Sequence, residues 1–310
     1  MADVAILGAT GPTGIHLANI LHAQGLAVRV VSRSAANLSR AFADPAFETV
    51  AADVLDAGDA VRAVSGCALI YDCLGLPAEQ MHLHPATARN IAKAVRATGA
   101  RCIQVSSYWA YLPLQHSPLS EAHPRSGGSD WVRWRREAED ILREAGAAIL
   151  HLPDFYGPHV HTSTLQNALA EAAQGKTMNW IGAADTPREY IFVPDAMAIA
   201  ARLGTLEAAF GQDWVLPGSG PLTGAQAAAI AGRHLSRTVK LRAAGVGMLR
   251  LVSLFNKELR GFMQVVPDYV KPIAYDATKL AGLIGSSQPT SYDMGIARTL
   301  DAIAAAAAPR

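Results

Sequence analysis

Three cysteines in 310 residues, Cys67, Cys73 and Cys102, are too few and too irregularly spaced for a disulfide framework or a zinc site. They are expected to be buried, reduced thiols. Charged residues make up only 17%, and Lys plus Arg (27) almost balances Asp plus Glu (26), so the net +1 provides no overall field for nucleic acid or an anionic membrane. A basic groove could still exist locally. No apolar run approaches the roughly 18 residues of a membrane span, and Met1-Ala2-Asp3 carries an acid where a secretory signal has a positive region. The expected compartment is the cytoplasm.

What is present is apolar surface. Residues of the AVILMFWYC set are 50% of the chain, enough for a sizeable core in about two folding units. Short runs rich in β-branched residues alternate with helix-period segments, and the runs are nearly continuous, as strands buried on both faces are. The expected strands are Val4 to Leu7, Val28 to Ser32, Glu48 to Ala51, Leu69 to Cys73, Arg101 to Ser106 and Ala147 to Leu152. Helices between them end at Gly25, Gly66, Gly99 and Gly146, the last running from Asp130 to Ala145. This rhythm predicts an α/β fold, a doubly wound parallel sheet of the Rossmann type over residues 1–152. Residues 153–310 change to shorter strands and longer spacers, predicting a smaller C-terminal α/β substrate lobe, packed on the first domain and partly interleaved with it. Strands are expected there at Met178 to Ile181, Tyr190 to Val193 and Trp214 to Leu216, with helices at Ser163 to Gln174, Gly224 to His234 and Tyr292 to Ala304. Met248, Leu249, Leu251, Val252, Leu254, Phe255 and Phe262 have near-helical spacing and are expected in the core; an open part of that face favours an apolar or aromatic substrate.

The first strand runs into Gly8-Ala9-Thr10-Gly11-Pro12-Thr13-Gly14 and then an apolar-periodic helix. Glycines there let the main chain turn tightly and approach a pyrophosphate, which the helix N-terminus attracts. The GxxGxxG spacing with Thr10 resembles the short-chain dehydrogenase/reductase superfamily, in its extended and atypical members that include the NAD-dependent epimerase/dehydratase-like proteins. Ala52-Asp53-Val54, Val105-Ser106-Ser107, Leu152 to Pro158, Tyr190 to Asp195 and Tyr275 to Leu280 match the same pattern, so the resemblance covers nearly the whole chain. It implies a dinucleotide held by the turn, with Asp53 and Val54 facing the adenine, Leu74 and Gly75 and the strand end at Ser106 bordering the nucleotide, and Pro153 and Phe155 beside the nicotinamide. The second strand ends Ser32-Arg33, without the acidic residue an NAD site offers the ribose. A guanidinium holds a 2′-phosphate by paired charge-assisted bonds, so Arg33 points to NADP; Arg40 is the alternative.

The resemblance breaks at the pair the family uses for proton transfer. On the helix after the fifth strand, Trp131 stands at the Tyr position and Arg135 at the Lys position. An indole cannot serve as the exchanging acid and an arginine cannot relay a proton. Arg135 can still bond the ribose or a developing negative charge, unless the helix only packs. Ser107 occupies the position of the family's substrate-polarising hydroxyl. Tyr108, Tyr111 and Tyr156 are the candidate replacement acids, with no spacing to choose among them. Trp131, His159, His161 and Arg188 are candidate substrate contacts, a salt bridge of Arg188 with Asp185 or Glu189 being the alternative. The H-x-H pairs His82/His84 and His159/His161 lack a third ligand, and no metal is expected. The function expected is an NADP-dependent reductase acting on a carbonyl or conjugated C=C of a small, largely apolar molecule. A redox-silent sensor similar to the NmrA-like regulators and a sugar-nucleotide-type epimerase or dehydratase are the alternatives. The expected partners are the small-molecule substrate and, left open, a second copy in a homodimer; nucleic acid and membrane are not expected.

Overall fold

The computed structural model describes residues 2–286 and 288–307, the side chains of residues 257 and 258 excepted. In chain order its elements are β1 (Val4–Leu7), α1 (Pro12–Ala23), β2 (Val28–Ser32), α2 (Ala35–Ala41), β3 (Glu48–Ala51), α3 (Ala57–Val64), β4 (Leu69–Asp72), α4 (His84–Thr98), β5 (Arg101–Ser107), α5 (Asp130–Glu144) and β6 (Ala148–Leu152). There follow β7 (Asp154–Tyr156), α6 (Thr164–Ala173), β8 (Met178–Ile181), β9 (Arg188–Phe192), α7 (Val193–Gly204), β10 (Asp213–Val215), β11 (Pro221–Leu222), α8 (Gly224–His234) and β12 (Leu241–Ala244). The chain closes with α9 (Val246–Ser253), α10 (Lys257–Phe262), α11 (Val266–Tyr269), α12 (Thr278–Ile284) and α13 (Tyr292–Ala307).

The chain divides into two compact units. The first holds the residues up to Ala110, Asp130–His151 and Ala196–Trp214; the second holds Tyr111–Ser129, Leu152–Asp195 and Val215 onward. The two units alternate along the chain, with one break between His151 and Leu152, beside the expected boundary at 152/153. Most of α7, which the sequence reading did not anticipate, and most of β10, expected in the second lobe, belong to the first unit.

The first unit is built on a seven-stranded sheet in the order β10-β6-β5-β4-β1-β2-β3. Strands β3 through β5 in that order pair in parallel, Leu7 lying opposite both Val31 and Asp72, and Asp72 opposite Gln104. The strands are continuously apolar because helices cover both faces. Ala5, Leu7, Ile70, Cys102 and Ile149 meet α3, α4 and α5 in one core, while Tyr71, pointing the other way, donates its hydroxyl to Ala200 O of α7 at 3.3 Å. Helix starts are set by local caps: Ser34 accepts from Asn37 N and Asp56 from Asp59 N. Helix α4 stops because Gly99 takes the left-handed conformation and returns its N–H to Val95 O. All three cysteines are buried and free, and burial raises each thiol above its ordinary pKa.

The second unit has a three-stranded sheet, β11-β9-β7, and a separate parallel pair, β12-β8. Its core gathers Tyr156, Leu165, Leu169, Trp180, Tyr190, Phe192, Ile230 and Ile296. Among the described residues no helix is long and apolar enough to cross a membrane.

Candidate functional site

The glycine turn lies at the C-terminal edge of the sheet where the order reverses between β1 and β4, the place where open α/β sheets take ligands. Each glycine has a different reason to be one. Gly8 has φ +74, and a Cβ there would stand 2.8 Å from Cys73 O, so the turn can rest on the end of β4 only without a side chain. A Cβ on Gly14 would come within 2.5 Å of Ala9 Cα, so this glycine closes the helix onto the turn. Gly11 is different: its Cβ would meet only Gly8 O, at 3.4 Å. It faces open space. Gly11 is the N-cap of α1, no side chain caps that end, Pro12 opens the helix and no acid occupies its first turn. The backbone donors and the positive end of the helix dipole are thus left for an anion. The cradle fits a dinucleotide pyrophosphate.

Thr10 Oγ1 lies 3.2 Å from Ser32 Oγ, which ties the turn to the end of β2 and sets Arg33 beside it. Arg33 is exposed and has no hydrogen-bond or ion-pair partner among the described residues, whereas Arg40 reaches Asn37 Oδ1 at 3.5 Å. Asp53 accepts from Leu55 N at 3.0 Å, and Asn90 Nδ2 holds the carbonyls of Val54 and Leu55 at 2.8 and 2.9 Å, so the segment after β3 is a fixed rim. After β4, Leu74 N donates to Asp72 Oδ1 at 3.1 Å, and Gly75 stands with nothing near its missing side chain.

Next to this edge lies a buried polar cluster. Arg135 Nη1 donates to Ser106 Oγ at 3.4 Å, and Ser106 Oγ donates to Glu139 Oε1 at 2.5 Å. Glu139, with no exposed surface, lies 3.7 Å from His151 Nδ1, whose other ring nitrogen is 2.9 Å from Asp213 Oδ1. Arg143 grips both oxygens of Asp213 at 2.7 and 2.9 Å. Burial opposes ionisation of Asp213, yet His151 and Arg143 hold its carboxyl below the usual range. Arg135 is a half-buried cation: desolvation lowers its pKa while Glu139 and Asp72 support the charge. Arginine remains charged there. The same cation and, above all, burial push His84 down to about 3, so its imidazole is neutral. Arg135 Nε, Gln104 Oε1 and His84 Nε2 are buried without a hydrogen-bond partner among the described residues. Sequence reasoning named Ser106 and Arg135 but missed Asp72, Gln104, Glu139, His151 and Asp213. Their spacing carries no motif, because the partners come from four strands and a helix.

Burial pushes Asp72 up to about 6 from an ordinary 3.8, against the lowering by Leu74 N, Gln104 and Arg135. The folded chain therefore binds this proton more tightly than the unfolded chain does. Asp72's share of stability is fully present below pH 3.8 and lost as pH rises through about 6. The expected outcome is that Asp72→Asn gains on the parent by about 3 kcal/mol between pH 4 and pH 8 in urea unfolding. Parallel pH profiles for the two proteins would refute the shift.

The remaining candidates are placed as follows. Ser107 ends β5 half-buried, its Oγ accepting from Trp109 N at 3.3 Å. Trp131 opens α5 and lies parallel to Trp109, with ring centroids 6.3 Å apart. Tyr108 is buried in the first unit and Tyr111 in the second. Pro153 is buried and Phe155 half-buried in β7, opposite Ile191. Tyr156 is corrected. It is fully buried between Phe192 and Tyr292, its hydroxyl fits against Gly295 without a hydrogen bond, and burial raises its pKa, so it belongs to the core and is no proton donor. Arg188 is corrected as well. It is 2% exposed, donates to the carbonyls of Tyr269 and Lys271, lies over the Tyr269 ring and pairs with Asp154 at 3.3 Å, not with Asp185 or Glu189. These contacts hold a chain segment, and the guanidinium has no surface left for a substrate. His159, at φ +63, and His161 are exposed, and burial followed by the His161 charge lowers His159. Among the described residues no three His, Cys, Asp or Glu side chains form a metal-sized group.

Residues 8–150 match the model of an NAD(P)H-binding family. No curated protein matches the sequence. Solved structures with the same fold include an epimerase described as putative from Burkholderia cenocepacia J2315, 19% identical, covering 98% of both chains with a TM-score of 0.78. A UDP-glucuronic acid 4-epimerase from Bacillus cereus, in complex with UDP-glucuronic acid and NAD, is 14% identical over 98% of this chain and 99% of its own, with a TM-score of 0.81. A double mutant of a dTDP-glucose 4,6-dehydratase from Streptomyces venezuelae, solved with NAD, is 19% identical over 96% of both chains, with a TM-score of 0.77.

Proposed function

For a chain that carries an NAD(P)H-binding segment in the fold of the extended, epimerase/dehydratase-type short-chain dehydrogenases/reductases, we propose an NADP-dependent reductase. Its substrate is a carbonyl compound or conjugated alkene of a small, largely apolar molecule. The observation that carries this reading is the first turn of α5. Where proton-transferring relatives need an acid, Trp131 is stacked on Trp109, and one turn on Arg135 is a half-buried cation with a buried, unpaired Nε. A fixed positive charge holds ribose hydroxyls and stabilises negative charge on an oxygen, but it exchanges no proton. Epimerisation and dehydration, which depend most on the missing acid, are disfavoured.

When bound, NADPH supplies the hydride. The turn from Gly8 to Gly14 holds the pyrophosphate, Arg33 pairs with the 2′-phosphate, and Asp53 and Val54 border the adenine. Ser107 hydrogen-bonds the accepting oxygen, Arg135 steadies its developing charge, and the proton that completes the reduction comes from solvent.

The test is NADPH oxidation against a panel of aromatic ketones, enones and quinones, with fluorescence titration of both nucleotides. NADPH is expected to bind at least several-fold tighter than NADH, and Arg33→Ala to remove most of the gap. Ser107→Ala should slow turnover by about a hundredfold with nucleotide affinity unchanged. Equal affinities would remove the NADP assignment. Tight binding without oxidation by any acceptor would favour a redox-silent sensor.

A further inference from the structure

The apolar stretch expected in the core is not wholly there. Helix α9 buries Leu249 and Ser253, four residues apart, and turns Met248, Leu251 and Val252 outward at the i, i+3, i+4 positions of one stripe, and Leu254 and Phe255 in the turn that follows are exposed as well. Phe255 is 90% exposed and Leu251 63%, and Leu254 joins them at the helix end. Arg260 holds the turn in place, donating to Ser253 O at 3.2 Å and Leu254 O at 2.8 Å.

Charge in the sequence leading into this helix is one-sided. Between Asp213 and Glu258 the sequence has no acidic residue, while it carries Arg233, Arg237, Lys240, Arg242, Arg250 and Lys257. Arg233 is spent on Asp293, and Arg237 on the carbonyls of Ala172 and Ala173 that end α6. Lys240, Arg242 and Arg250 are exposed and have no ion-pair or hydrogen-bond partner among the described residues. Arg242 is the second residue of β12 and Lys240 directly precedes the strand. Lys176 and Lys240 also line an open cleft of about 230 Å³ beside that strand. Three exposed cations without a side-chain partner, Lys240, Arg242 and Arg250, thus flank the exposed apolar residues in sequence.

We propose that α9 and the start of β12 form a docking surface for an anionic lipid bilayer, on which the protein lies reversibly. Met248, Leu251, Leu254 and Phe255 enter the interfacial region, while Lys240, Arg242 and Arg250 meet the headgroups. The two halves of the patch exclude the other occupants. A nucleic acid takes the cations and leaves the leucines in water. A second copy brings Arg250 and its neighbours toward their own images. A lipid surface satisfies both halves. Overall charge concealed this site, because the acids that balance the chain lie elsewhere in the sequence.

The test is co-sedimentation of the full chain with vesicles of phosphatidylcholine alone and of phosphatidylcholine with phosphatidylglycerol. Binding is expected only to the anionic vesicles and should fall steeply with added salt. Leu251→Glu with Phe255→Glu should lower it by about tenfold or more, since each removes interfacial apolar area and adds repulsion. Both residues are exposed, so circular dichroism and NADPH affinity should not change, which keeps this result separate from the nucleotide assignment. Arg242→Ala with Arg250→Ala should weaken anionic binding without altering the fold. Equal binding to both vesicle types, or unchanged binding by the double Glu variant, would overturn the proposal. So would a dimer in sedimentation velocity that the double Glu variant dissociates, with no vesicle binding by the parent.

Discussion

Gly11→Val is expected to abolish nucleotide binding while leaving the protein folded. Gly11 sits at φ −78, ψ 166, an extended conformation that valine adopts readily and that the following Pro12 itself favours. The nearest atom to its added Cβ is Gly8 O at 3.4 Å, a contact the turn can bear. The branched side chain therefore fills the space in front of the uncapped end of α1, where the pyrophosphate must approach. A loss of about a hundredfold or more in NADPH affinity by titration, beside an unchanged circular dichroism spectrum, is the expected pair of readings. Gly14→Ala makes the contrast. Its Cβ meets backbone at 2.5 to 2.8 Å, so that variant should lose stability along with binding. Retained affinity in a folded Gly11→Val protein would place the phosphate elsewhere.

Arg188→Met should produce the largest loss of stability in the second unit, about 3–5 kcal/mol in urea unfolding. The methionine keeps much of the volume but leaves the Tyr269 and Lys271 carbonyls and the Asp154 carboxylate short of their donor in a buried setting. The Tyr269 ring also loses its cation, 4.0 Å from the centroid. Arg188 draws the segment from Tyr269 to Ile273 onto β9, where Ile273 bridges Arg188 and receives Glu189 N at 3.1 Å. NADPH affinity measured well below the melting temperature should be unchanged. A stable Arg188→Met protein would return this arginine to the list of substrate contacts.

The nucleotide half of the site was legible because its signals are local. A glycine that must take positive φ, a strand continuous in apolar residues and a helix that starts at Pro12 are each decided within a few residues. For the same reason β1, β2, β3, β8 and α8 begin and end where the pattern places them.

The buried polar cluster was not legible. Ser106 and Glu139 are 33 positions apart, and His151 and Asp213 are 62 apart, so no spacing could announce them. The same blindness made Arg188 look like a substrate ligand: its type and place in the chain fitted, but the carbonyls it holds lie 81 and 83 residues away. Tyr156 failed as an acid for a related reason, since only packing against Phe192, Tyr292 and Gly295 determines whether a tyrosine is dry.

By itself, then, the sequence determined the alternation of strands and helices in the first half of the chain and the glycine turn between β1 and α1, both of which follow from backbone conformations and residue chemistry at neighbouring positions. Tertiary structure alone decided that most of α7 and β10 join the first unit, that Arg135 is a half-buried cation bonded to Ser106 beside Glu139 and Asp72, and that α9 shows apolar residues to solvent. Helical spacing states that one face of α9 is apolar. Which face finds a partner depends on what the rest of the chain brings against it, and here Leu249 and Ser253 were covered while Leu251 and Phe255 were not.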